Sequence, residues 1–292
     1  MSSTPLMPLH RSSPRLATHT APTGALHALD RRVFPGPSGA RHPACIPPSM
    51  STSLAGKVAV ITGSSRSIGA AIAKHMASQG AKVVVNYVNG ADAASSVVSA
   101  IKTSGGTAVA AQADVSTIAG GQRLVDESVK AFGGIDILVL NPGIMDSKVL
   151  ADVEAFFDAH FATNVKGPLL AKAAASVLPA PGGRIIFFST SLTGASTVSP
   201  TALVYTATKG AVEQLSRILA KGTTVNTVSP GPVDTPFFRQ GKPEALIAAI
   251  AKSAPSGRLG EVDDIAPVVS FLASPAAQWV NGQNVSVNGG FV

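Results

Sequence analysis

Tyr205 and Lys209 stand four residues apart in Tyr205-Thr206-Ala207-Thr208-Lys209, inside a stretch that predicts a helix over 202–220. Positions i and i+4 share one helix face, so phenol and ammonium are neighbours. A free tyrosine titrates near a pKa of about 10, and a nearby cation favours the phenolate and lowers that value. Such a pair can give a proton to a carbonyl oxygen as hydride arrives, or take one from an alcohol in reverse. The spacing is also common on ordinary helix surfaces, so the pair needs company. Ser191 follows a predicted strand, where its hydroxyl can hold a substrate oxygen as charge develops, with Ser189, Thr190 and Thr193 as neighbouring alternatives. Asn164 lies on a long predicted helix, in Asn164-Val165-Lys166-Gly167; read alone, it is a helix residue bonded to backbone.

A second constellation is Thr62-Gly63-Ser64-Ser65-Arg66-Ser67-Ile68-Gly69, after a short apolar run and before a helical pattern. Glycines here permit a tight turn and close backbone approach to a pyrophosphate, and the helix start presents free N–H groups and a positive dipole end. A simple β–α turn would look similar, but the strand before and the helix after favour a dinucleotide. The end of the second strand reads Asn86-Tyr87-Val88-Asn89-Gly90, with no acid until Asp92. An acid there would hold a ribose diol and repel a 2′-phosphate. Its absence, with Arg66 available to pair a phosphate, points to NADP(H).

The elements that must position these groups alternate along the chain. Predicted strands are 57–62, 82–86, 107–112, 135–141, 184–189, 223–228 and 284–287; predicted helices are 66–79, a segment ending near 104, 118–132, 153–178, 202–220 and 264–273. The strands are near-continuous apolar runs, as expected of a parallel sheet covered on both faces. Strand–helix alternation with short connections gives an α/β fold, a single doubly wound Rossmann-type domain with a seven-stranded parallel sheet and right-handed crossovers. Ligands then sit at the carboxyl ends of the strands, where the residues named above fall.

Composition narrows the alternatives. Apolar residues make up 45 % and charged residues 13 %, enough apolar side chain for a large core. The single cysteine, Cys45, excludes an internal disulfide and a Cys-ligated zinc site, and no metal site is expected. No uninterrupted apolar stretch reaches membrane-spanning length. The net charge of +7 is concentrated early: residues 1–50 carry Arg11, Arg15, Arg31, Arg32 and Arg41 against Asp30 alone. The rest has no basic run, so no nucleic-acid partner is expected. Residues 1–50 also hold nine of the 21 prolines and are read as a disordered extension. A cytoplasmic location is expected, or an organellar one if this Arg- and Ser-rich, acid-poor stretch is a transit peptide.

From about Leu54 to the C-terminus the sequence resembles the short-chain dehydrogenase/reductase family. The residues that carry the likeness are the loop 62–69, Asp114-Val115, Asn141-Pro142-Gly143, Asn164, Ser191, Tyr205…Lys209 and Pro230-Gly231-Pro232-Val233-Asp234-Thr235. Within the family it is most similar to the 3-oxoacyl-carrier-protein reductase-like and fungal polyketide ketoreductase branches. The resemblance implies that Tyr205 is the acid/base, that Lys209 lowers its pKa and binds the nicotinamide ribose, and that Ser191 positions the substrate oxygen. It implies that Asn164 holds a relay water. Asp114 and Val115 would meet the adenine, Asn141 and Gly143 the middle of the cofactor, and Pro230, Gly231, Val233 and Thr235 the nicotinamide end. Gly63, Ser65, Arg66, Ser67, Ile68, Gly69, Asn86 and Tyr87 complete the expected cofactor set. It further implies a homo-oligomer, tetramer or dimer, built on 153–178, 202–220 and 284–287.

Three departures stand out. Ser67 replaces the usual middle glycine of the loop. Leu140 and Pro142 alter the usual Asn-Asn-Ala-Gly. The junction Ala220-Lys221-Gly222-Thr223-Thr224-Val225-Asn226 is shorter than usual, which could displace the sixth strand. The expected reaction is hydride transfer between NADP(H) and a small-molecule carbonyl or alcohol. Residues 236–257 would form a substrate lid in which Phe237, Phe238, Leu246, Ile247 and Ile250 are either an apolar wall or plain core packing. A cofactor-binding protein without turnover, and a dehydration or epimerisation on the same fold, are the alternatives.

Overall fold

Seven strands pair side by side, all parallel, in the computed structural model, which describes residues 53–145, 154–167, 174, 176–196 and 198–292. They are β1 (Val58–Ile61), β2 (Lys82–Tyr87), β3 (Thr107–Gln112), β4 (Ile137–Leu140), β5 (Arg184–Phe188), β6 (Thr224–Pro230) and β7 (Asn284–Val287), in the spatial order β3-β2-β1-β4-β5-β6-β7. The order reverses between β1 and β4, so a crevice opens at their carboxyl ends. The expectations for residues 1–50 lie outside the described residues.

The described helices are α1 (Ser67–Ser78), α2 (Ala91–Thr103), α3 (Ile118–Phe132), α4 (Glu154–Phe161), α5 (Leu203–Leu219), α6 (Pro236–Arg239), α7 (Glu244–Ser253) and α8 (Val262–Ala273). Their ends follow local chemistry. Thr117 caps α3 by accepting from Gly120 N at 3.0 Å, and Gly133 at φ 86° ends it. Glu261 and Asp264 form a capping box on α8. Among the described residues no helix is long and apolar enough to cross a membrane.

The inner strands are buried on both faces because alternate side chains feed two different cores, whereas the edge strands β3 and β7 are partly exposed. Ala59, Ile61, Val83 and Val85 pack with α1, α2 and α8, against Ile72, Met76, Val97, Ile265 and Leu272. Val60, Val84, Leu138 and Phe187 point to the other side, with Leu124 and Val125 of α3 and Val212 of α5. A period of two therefore runs inside uniformly apolar sequence.

Two expectations are corrected. The segment 153–178 is not one uniform α-helix: α4 passes into a π-helical turn, Ala162–Lys166, where Gly167 N bonds back to Ala162 O. Ser176–Leu178 already form turns, and Val177 N and Leu178 N both bond to Ala174 O. The short junction does not displace β6. That strand keeps register with β5 (Arg184↔Thr224 to Phe188↔Val228) and with β7. Gly222, at φ 77°, turns the chain. Asn281 staples the connection, its Oδ1 accepting from Val225 N at 2.7 Å and its Nδ2 donating to Ala220 O at 3.4 Å.

Candidate active site

The loop after β1 is held by neutral hydrogen bonds on every side. Thr62 N and Oγ1 both donate to Val139 O on β4. Ser64 Oγ donates to Ile61 O at 2.6 Å and accepts from Asn86 N at 3.1 Å. Asn86 is almost fully buried; its Oδ1 accepts from Gly63 N and its Nδ2 donates to Ala111 O and Ala113 O. It thus ties the loop to β2 and β3 through main chain. Asn141 does the same from β4, donating to Thr62 O and Gly63 O.

Gly69 closes the arrangement. A Cβ there would lie 2.5 Å from Gly63 O, 2.8 Å from Ser64 Cα and 2.9 Å from Asn141 Nδ2. Only glycine lets α1 press onto the turn this closely. Ser67 stands at φ 51°, in the left-handed region that glycine would occupy freely. It is tolerated, with α1 starting at that residue and Ile68 packed against the core. The start of α1 has no side-chain cap, as at α2, α5 and α7, whereas α3 and α6 each have one. Its first-turn N–H donors, with Ser65 and the exposed Arg66 beside them, fit a diphosphate bearing a further phosphate.

Farther out, Tyr87 ends β2 and packs on the α1–α2 core. Asp114 is exposed after β3, accepting from Ser116 N and Oγ, while Val115 is buried. Sequence reasoning missed Gly120: a Cβ there would fall only 1.9 Å from Asp114 O. The pair Gly120-Gly121, inside the first turn of a helix, was the available signal.

Beyond the carboxyl ends of β4 and β5, Asn164, Ser191, Tyr205 and Lys209 are all buried, and Thr190, next to Ser191, hydrogen-bonds with Tyr205. Lys209 Nζ donates to Phe188 O at 2.9 Å and lies 5.8 Å from the centre of the Tyr205 ring. Gly143 makes room for it, since a Cβ at 143 would sit 3.1 Å from Nζ. Asn164, in the π-helical turn, clamps the chain after β4. Its Oδ1 accepts from Ile144 N at 2.9 Å, and its Nδ2 donates to Ile144 O and to Thr208 Oγ1 at 3.1 Å each. Thr208 is a partner the sequence did not suggest. Ser191 Oγ donates to Ser229 O at 3.3 Å.

Burial dominates the titration of the pair. The Lys209 ammonium is pushed down to about 8 by desolvation. The Tyr205 phenol is pushed up to about 12 by desolvation, partly offset by a hydrogen bond with Thr190. The expected lowering of the phenol by its neighbouring cation is therefore reversed in sign. At neutral pH the site holds a neutral phenol beside a protonated amine, which suits proton donation to a developing alkoxide.

On the far side, Pro230 ends β6 and Gly231 N donates to Val287 O; a Cβ on Gly231 would meet Asn288 Cα at 2.9 Å. Val233 is buried and bridges to Gly260. Thr235 caps α6, accepting from Phe238 N at 3.1 Å. In the segment 236–257, Ile247 is core, whereas Phe237 and Leu246 are exposed at 41 % and 47 %. Arg239 pins α6 and α7 to the preceding turn through Asp234 and Glu244.

These features have relatives. A family profile described as enoyl-(acyl carrier protein) reductase matches residues 63–292. A short-chain type dehydrogenase/reductase of Picea abies is 45 % identical over 255 residues, covering 82 % of this chain and 93 % of that protein. A probable tetrahydroxynaphthalene reductase of Zymoseptoria tritici is 40 % identical over 262 residues, covering 84 % and 98 %. The crystal structure of a short-chain dehydrogenase from Burkholderia cenocepacia in complex with NADP superposes with a TM-score of 0.76 at 36 % identity, covering 82 % of this chain and 98 % of that one. The chain belongs to the short-chain dehydrogenase/reductase family.

Proposed function

We propose that this protein is an NADP(H)-dependent oxidoreductase that reduces the carbonyl of an apolar, aromatic ketone, with Tyr205 as general acid. The observation that carries this reading is the buried pair of Tyr205 and Lys209 beside Ser191, at the same sheet edge as the uncapped start of α1. The residues of the loop 63–69 would hold the diphosphate, and Arg66 the 2′-phosphate. Asn86 and Asn141 would keep that loop in shape. Tyr87, Asp114 and Val115 would border the adenine, and Gly143, Pro230, Gly231, Val233 and Thr235 the nicotinamide end. When bound, NADPH supplies the hydride.

The chain's own residues handle the proton. Tyr205 is neutral at pH 7 and donates its phenolic proton to the carbonyl oxygen. Lys209 is protonated below about pH 8, so its charge stabilises the phenolate left behind. Ser191 holds the substrate oxygen. Asn164 fixes the Ile144 turn and, through Thr208, the helix that carries Tyr205. The substrate class draws on the name of the Zymoseptoria relative and on the exposed Phe237 and Leu246. We propose oligomerisation through α5, α8 and the segment before β7, which expose Ile218, Phe271 and Trp279 (96 % exposed). Sedimentation giving a single 29.4 kDa species would remove that part.

The test uses the full chain, NADPH and NADH titrations by nicotinamide fluorescence, and turnover with 9,10-phenanthrenequinone as a generic carbonyl probe. NADPH is expected to bind more tightly than NADH. Tyr205→Phe is expected to keep NADPH binding and to lose about 10²–10⁴-fold in kcat. Unchanged turnover in that variant would falsify the role given to Tyr205.

A further inference from the structure

Ser191 and Tyr205 can act on one oxygen only if their hydroxyls are held in a fixed relation, since a displacement of about 1 Å can cost about 100-fold in rate. Yet Ser191 sits on a single 3₁₀ turn, Ser191–Thr193, and its own side chain makes one long contact, to Ser229 O at 3.3 Å. The turn is held from another side. Ser189 Oγ and Thr193 Oγ1, two residues before and two residues after Ser191, both lie 2.6 Å from Oε1 of Glu213.

A carboxylate only accepts, so both hydroxyls donate to it, and charge-assisted bonds of this length are strong. Each hydroxyl has a second acceptor in range: Lys209 O at 3.3 Å from Ser189 Oγ, and Thr190 O at 2.8 Å from Thr193 Oγ1. Each has one proton, and the shorter contact to an anion takes it. Glu213 is partly buried and follows Lys209 by four residues, as Lys209 follows Tyr205. One face of α5 thus carries phenol, ammonium and carboxylate in successive turns. We propose that Glu213 is a positioning residue for the reaction: by gripping Ser189 and Thr193 it locks the Ser191 turn onto the helix that carries Tyr205.

This rests on the reaction proposed above, and the test separates the two. Full-chain variants are assayed with NADPH and 9,10-phenanthrenequinone. Glu213→Ala is expected to lower kcat about ten- to hundred-fold, with NADPH affinity within about two-fold of the parent. Glu213→Gln keeps one acceptor oxygen and is expected to recover most of that loss. In a Ser191→Ala background, Glu213→Ala is expected to change kcat less than about two-fold, because the group it positions is gone. An equal loss in both backgrounds, or no loss where Ser191 is intact, overturns the proposal. Should Glu213→Ala not fold, Ser189→Ala and Thr193→Val each remove one grip and take its place in the same cycle. Turnover that survives Tyr205→Phe would sink the reaction itself, independently of Glu213.

Discussion

The loop proposed to hold the phosphates and the cluster proposed to carry the reaction lie at the same edge of the sheet but are built on opposite principles. The loop is held by neutral groups whose hydrogen bonds are satisfied within the fold: Thr62, Ser64, Asn86 and Asn141 each bond to main chain, and Gly69 removes the one Cβ that would force the layers apart. The Tyr205–Lys209 cluster buries an ammonium and a phenol, and burial works against the charged form of each. The first arrangement stabilises the fold and the binding shape together. The second sets stability against reactivity, because groups poised to exchange a proton are poorly solvated.

That contrast can be broken most forcefully at Gly69. Gly69→Ala places a methyl against backbone atoms that have no rotamer to yield, so a loss of about 1–3 kcal/mol is expected. NADPH affinity should fall with it, since the turn and the start of α1 separate. Chemical denaturation beside an NADPH titration reads both, and a fully stable variant with parental affinity would show that the close approach is incidental.

Lys209→Met should do the reverse at the other site. The ammonium is charged at pH 7 at the expense of native stability, since its pKa falls from 10.5 to about 8 on folding. Removing it also removes the bond to Phe188 O, so a net gain of about 1–2 kcal/mol is expected, with kcat lowered about 100-fold or more. The sign follows from linkage. Between about pH 8 and 10.5 the unfolded chain binds the proton that the native one has shed, so parental stability rises with pH across that window and the variant's advantage disappears. Above it, Tyr205 acts oppositely, because its raised pKa makes the native state hold the extra proton. In the parent, reduction should slow as pH rises past about 8 and Lys209 loses its charge. Thermal melts and kcat between pH 6 and 10 test this, and a variant less stable than the parent at pH 7 would contradict it.

The smallest effect is expected at Ser67, whose φ of 51° is left-handed. Ser67→Gly relieves that strain but gains freedom in the unfolded chain, leaving a net stabilisation of up to about 1 kcal/mol with NADPH affinity nearly unchanged. A large loss of affinity would instead mean that the Ser67 hydroxyl contacts the phosphate.

Much of this molecule is legible before folding because its signals are local. Apolar runs mark β1, β2, β4 and β5, glycines at 80, 105 and 133 mark where helices stop, and α3 and β7 fall at their expected positions. The Tyr205–Lys209 spacing and the loop 62–69 are local too, which is why their sharing one sheet edge follows from strand order alone.

What tertiary structure alone decided is everything that depends on distant partners. The π-helical turn at 162–166 exists where Asn164 meets Ile144, twenty residues earlier, and Thr208, far later. Asn86 is a brace because β3 lies beside β2. The register of β6 survives a short junction because Asn281, from beyond α8, holds it. The titration of Tyr205 is decided the same way. Spacing along a helix places a cation near the phenol and argues for a lowered pKa, but desolvation depends on every layer packed around the ring, and here it is the larger effect.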